Sequence, residues 1–92
     1  MYTTPLKEEI NICGTEITVE INTAKCEGME ASGYYHEHTI YLKSSYPSYE
    51  IYRDTYVHEC FHALCEILGI QLDIHTEEIL ANRIGYMIAN EI

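Results

Sequence analysis

His58-Glu59-Cys60-Phe61-His62, inside the longer stretch from Ser48 to Gly69, decides how the rest of the chain is read. Around it Val57, Phe61, Leu64 and Leu68 recur at spacings of three and four, which predicts an α-helix over about residues 48–68. Ser44, Ser45 and Pro47 mark a turn and a helix start, and Gly69 followed by Ile70 fits a glycine stop backed by an apolar residue. Residues four apart on a helix lie one above the other. His58 and His62 therefore share a face, where two imidazoles can hold one metal ion. Glu59 is rotated about 100° from His58, close to such an ion without ligating it, where a carboxylate can serve as general base. Five residues can match by chance, and a solvated helix face with two histidines is the plain alternative.

A catalytic zinc keeps three protein ligands and one open position, so a third ligand is expected downstream. Residues 70–75 read as a connection, Thr76 as an N-cap, and Glu77 and Glu78 as the first turn of a helix running to the C-terminus. Leu80, Ile84, Met87 and Ile88 form its apolar stripe. Glu78, Asn82 and Gly85 recur at helical spacing on a separate, narrow face, with Ala89 below them. On that face Glu78 can ligate and Asn82 can hydrogen-bond a ligating histidine, while Gly85 lets the helices approach. Glu77 competes with Glu78 for the ligand role, but helical geometry turns it toward the stripe, where its replacement should mainly alter stability.

With these residues in place the chain resembles a gluzincin-type zincin, especially the peptidases related to ImmA and IrrE and the minimal gluzincins. In those families H-E-x-x-H is followed by a glutamate helix of the form E-x-x-[A/S]-[N/D]-x-x-[A/G]. Glu78-Ile79-Leu80-Ala81-Asn82-Arg83-Ile84-Gly85 matches every specified position. Gly33-Tyr34-Tyr35, followed by Ile40-Tyr41-Leu42, is similar to the family's edge strand above the cleft. The interval between His62 and Glu78 is short for the family, and no leucine-methionine-proline segment follows the glutamate helix. The resemblance covers about residues 33–89 and implies a minimal zincin fold with zinc on His58, His62 and Glu78.

Working outward, Ile10, Ile12, Ile17, Val19 and Ile21 alternate with polar residues in two runs broken at Gly14-Thr15, which predicts a hairpin of about 8–13 and 16–22. Residues 23–33 read as loop, with Gly28 and Gly33 among small and charged residues. His38-Thr39-Ile40-Tyr41-Leu42-Lys43 is rich in β-formers and reads as a third strand. The expected fold is therefore α+β. A small three-stranded, mostly antiparallel sheet packs on an active-site helix and a C-terminal glutamate helix, in one domain over residues 1–92.

Charge narrows the partners. Fifteen acidic against five basic side chains give a net charge of −10, which repels nucleic-acid phosphates and is compatible with a basic partner or simply with solubility. No apolar run reaches membrane-spanning length, and the first residues lack a signal-peptide pattern, so a cytoplasmic protein is expected. Cys13, Cys26, Cys60 and Cys65 form no C-x-x-C pair and are read as reduced thiols, with Cys65 a packing thiol before a metal neighbour. His36 and His38 would share a strand face and are open to a second metal or to solvent, and His75 to oxyanion stabilisation or a plain loop role. Seven of nine tyrosines lie between Tyr34 and Tyr56, suiting a peptide cleft and core filling equally.

These readings converge on a zinc-dependent metallopeptidase. Zinc on His58, His62 and Glu78 would acidify a bound water, and Glu59 would take its proton and return it to the leaving amine. The substrate would be a flexible protein or peptide segment, lying antiparallel to the strand at 38–43 and using its free backbone groups. Two alternatives stay open: a zinc-stabilised acidic binding or inhibitor protein with little hydrolysis, and a metal-free acidic decoy for a nucleic-acid-binding protein. Oligomeric state is not fixed by the residues.

Overall fold

The N-terminal alternation folds as expected, into an antiparallel hairpin of β2 (Glu9–Ile12) and β3 (Thr15–Ile21). Cys13 and Gly14 both have positive φ, 49° and 84°, which is the two-residue turn whose twist matches the flanking strands. Asn11 Oδ1 accepts a hydrogen bond from the Gly14 amide at 2.9 Å and pins that turn. A computed structural model describes residues 1–6 and 9–91, with side chains described to residue 84. Gly85, Met87, Ile88 and Ala89, which figure in the expected helix faces, have side chains outside the described residues.

The segment after β3 departs from expectation. It contains helix α1 (Thr23–Gly28), capped by Asn22, whose side chain accepts from the Lys25 amide. Ala24, Lys25 and Glu27 are good helix formers, and a helix of so few residues leaves little periodic signal. Gly33–His36 then forms β4, which pairs antiparallel with β5 (Thr39–Leu42) across Glu37 and His38, at φ 45° and 63°. His38 therefore belongs to a turn and does not share a strand face with His36.

The sheet has four strands in the order β2-β3-β5-β4, with β3 and β5 parallel and the other pairs antiparallel. It is a mixed sheet, one strand larger than expected. The consequence for a ligand is direct: β5 is flanked on both sides, so residues 39–42 have no free edge, and the outer strand on that side is β4. A separate two-stranded pair joins β1 (Tyr2–Thr3) to β6 (Ser45–Tyr46).

Alternation along β3 and β5 puts Ile17, Val19, Ile40 and Leu42 on one buried face, where they meet Ala63 of helix α2 (Tyr49–Leu68). The ends of α2 are those the sequence signals. Ser48 Oγ accepts from the Ile51 amide, and Gly69 turns left-handed at φ 67° while the Ile70 and Gly69 amides bond back to Cys65 and Glu66. Its sheet-facing side is Tyr52, Tyr56, Cys60, Ala63 and Ile67, and not the Val57–Leu68 series. Leu68 is 54% exposed. Apolar residues are spread around α2, so spacing identified the helix without identifying its buried side.

Helix α3 (Ile74–Glu91) packs on α2. It begins before Thr76: Asp73 accepts from the Thr76 amide at 2.9 Å and from its hydroxyl at 2.7 Å, so Asp73 is the cap. These bonds hold the Asp73 carboxyl below its usual pKa. Ala81 is fully buried, while Leu80 is exposed, so the expected apolar stripe is turned outward at that position. None of the helices, among the described residues, is long and apolar enough to cross a membrane.

Candidate metal centre

Helix α2 carries His58 and His62 one turn apart, and the first turn of α3 brings Glu78 against both. The two Nε2 atoms lie 3.1 Å apart. Glu78 Oε2 is 3.2 Å from His58 Nε2, and Glu78 Oε1 is 3.0 Å from His62 Nε2. The three side chains thus form a compact triangle, with one Glu78 oxygen against each imidazole, and these residues could hold a metal ion. The triangle fits. Ligand atoms around a tetrahedral zinc, with bonds of about 2.0–2.1 Å, stand about 3.3 Å from one another.

The imidazoles are largely shielded, at 19% exposure for His58 and 12% for His62. Burial and the neighbouring His62 lower the pKa of His58, while the charge of Glu78 and hydrogen bonds to Asn82 and Glu78 act the other way. Asn82 therefore does partner a candidate ligand, as its place one turn after Glu78 suggested.

Glu59 is buried beside this triangle, 6% exposed. Burial raises its pKa from 4.5 to about 7, His62 opposes the shift, and Glu78 adds to it. Close approach of β4 covers it. A Cβ added to Gly33 would stand 2.7 Å from Thr55 Cγ2 and 3.3 Å from Glu59 Cγ, so only glycine lets the strand cross α2 here. Tyr46 steadies the entry to that strand: its hydroxyl donates to the Ser32 carbonyl at 2.6 Å and accepts from the Lys43 amide at 2.9 Å. Burial pushes the Tyr46 hydroxyl up to about 12.

The donors open into a cleft of about 470 Å³, walled by Tyr34 and Tyr35 of β4, Glu66 of α2, and Ile70 and Ile74 at the other rim. A second hollow of about 280 Å³ shares Gly33, His58 and Glu59 and extends past Ser32, Asp54, Thr55 and Asn82. The candidate site sits where an apolar-rimmed half and a polar half meet.

Glu77 is the principal correction. The face it was expected to share with the apolar stripe meets α2, and its Oε2 lies 2.5 Å from His62 Nδ1, so its role is more than stability. The adjacency of two glutamates in one first turn was the available signal, and the rotation of α3 on α2 was the missing information. His36 lies 3.5 Å from Glu37 and His38 lies 3.3 Å from Glu66, so the two serve different carboxylates and do not converge. His75 is exposed on the first turn of α3 and not in the preceding connection. Cys65 is buried, and burial raises its thiol pKa, as befits a packing residue. The tyrosines divide: Tyr34 and Tyr35 line the cleft, while Tyr46, Tyr52 and Tyr56 pack inside.

Comparison with family models, with curated proteins and with solved structures finds no match to this chain.

Proposed function

We propose that the chain is a zinc-dependent metallopeptidase with the minimal zincin arrangement, hydrolysing peptide bonds in a flexible protein segment. The observation that carries the reading is the convergence of His58 Nε2, His62 Nε2 and Glu78 beside a buried carboxylate, Glu59. Zinc, which this donor set suits, supplies Lewis acidity toward water and a carbonyl oxygen. Glu59 accepts a proton from the attacking water on its carboxylate and passes it to the leaving amine. A carboxyl poised near neutrality is suited to both transfers. The substrate lies along the free edge of β4, at Gly33–His36, and crosses the site between the two halves of the cleft.

The test is Glu59→Gln assayed on an unfolded protein substrate. Wild type should cleave, and the variant should bind zinc equally while losing most activity. A second reading, an acidic zinc-stabilised binding or inhibitor protein, draws on the net charge of −10. It becomes the better account if wild type and variant both bind zinc and neither cleaves a broad peptide library.

A further inference from the structure

His62 is gripped by two carboxylates. Glu78 Oε1 lies 3.0 Å from its Nε2, and Glu77 Oε2 lies 2.5 Å from its Nδ1. Both Glu77, at 20% exposure, and the ring are screened from water. A carboxylate accepts and does not donate, so a short contact at Nδ1 calls for an N–H there. A neutral imidazole has one N–H, and the two carboxylates compete for it; the shorter contact to the more shielded Glu77, at 20% exposure against 46% for Glu78, places it on Nδ1 and leaves Nε2 with the lone pair an ion would take. Nε2 is the atom that meets His58 Nε2 and Glu78. The two histidines thus have different backing: a carboxylate behind His62, the Asn82 amide beside His58.

We propose that Glu77 is a positioning residue for the metal centre: it holds His62 in the Nδ1–H tautomer, with the Nε2 lone pair aimed at the site before the ion arrives. His62 is then the anchoring ligand, and His58 the weaker partner. The inference rests on the metal-site reading above. Glu77 is not a rival ligand to Glu78, because its oxygen meets the ring nitrogen that points away from the triangle. Asp73 fixes this placement, since its carbonyl accepts from the Glu77 amide at 3.0 Å and its side chain caps the same turn. Partners behind metal-bound histidines typically contribute about 10–100-fold in metal affinity.

The experiment compares wild type, Glu77→Ala, Glu77→Gln and Asn82→Ala in two measurements. Nitrogen-15 NMR of the histidine rings, on metal-free protein at a pH where imidazoles are neutral, reads the tautomer of His62. Chelator competition reads zinc affinity. Wild type should show Nδ1–H at His62, and Glu77→Ala a mixture with Nε2–H and zinc binding weaker by about 10–100-fold. Glu77→Gln, which keeps an acceptor oxygen, should hold the tautomer and lose less affinity, and Asn82→Ala should lose less than Glu77→Ala. An Nε2–H tautomer in wild type overturns the proposal. So does a Glu77→Ala protein with unchanged tautomer and zinc affinity, or, should that variant not fold, a Glu77→Gln protein with His62 flipped to Nε2–H. Absence of zinc binding in wild type defeats the metal reading instead, and the tautomer measurement separates the two failures.

Discussion

On its sheet side, α2 sets Ala63 among Ile17, Val19, Ile40 and Leu42, all buried. On its α3 side it sets His58 and His62 against Glu77 and Glu78, with Ala81 the fully buried apolar residue of that helix among those described. The first contact is held by removing apolar surface from water and needs no ligand. The second gathers three carboxylates, Glu59, Glu77 and Glu78, around two imidazoles, and is the part of the molecule where a bound cation would relieve the crowding. One helix thus carries the core on one flank and the candidate metal ligands on the other. The two should respond independently to mutation.

The largest effect expected is kinetic and lies on the α3 flank. Glu59→Gln should reduce peptidase turnover by about 10²–10⁴-fold, the usual contribution of a positioned general base, with zinc affinity unchanged. Equal turnover in the two proteins would remove Glu59 from the chemistry. On the sheet flank, Ile40→Ala should cost about 2–5 kcal/mol of stability in denaturant titration, since Ile40 is fully buried in the core. Its folded fraction should bind zinc as wild type does, and a matching loss of zinc affinity would show that the flanks are coupled.

The third expectation concerns pH in the metal-free protein. Glu59 titrates near 7 when folded and near 4.5 in its ordinary state. Between those values the folded protein keeps a proton that the unfolded chain releases, so this group's contribution falls as pH rises from about 4.5 to about 7 and is level outside that window. Glu59→Gln lacks the component, so its stability advantage over wild type should grow across the window by on the order of 3 kcal/mol. A constant difference between the two curves would show that Glu59 is not desolvated.

What could be read from the sequence was what repeats locally. Both long helices, the ends of α2 and the β2–β3 hairpin follow from spacing and capping residues. His58 and His62 follow from one helical turn, and Glu78 from its company with Asn82 on one helix face. Hidden features depend on how distant elements meet. Local composition reads Gly33 as loop, and only the resemblance puts Gly33-Tyr34-Tyr35 in an edge strand, because nothing local reports that β4 crosses Thr55 and Glu59 at contact distance. The parallel pairing of β3 with β5 removes the edge that residues 38–43 were expected to offer, and no periodicity signals it. The contact of Glu77 with His62 is hidden because the rotation of α3 is set by its packing on α2 and by a cap at Asp73, three residues earlier than Thr76.

The claim that joins these arguments is that the α2–α3 contact is a metal centre. It is tested most directly by calorimetric titration of zinc into metal-free wild type and His62→Ala. Wild type should take up about one ion per chain, as three protein ligands and one open position require, and His62→Ala should lose most of the binding. Zinc held by His62→Ala as tightly as by wild type, or no uptake by wild type, would contradict the account.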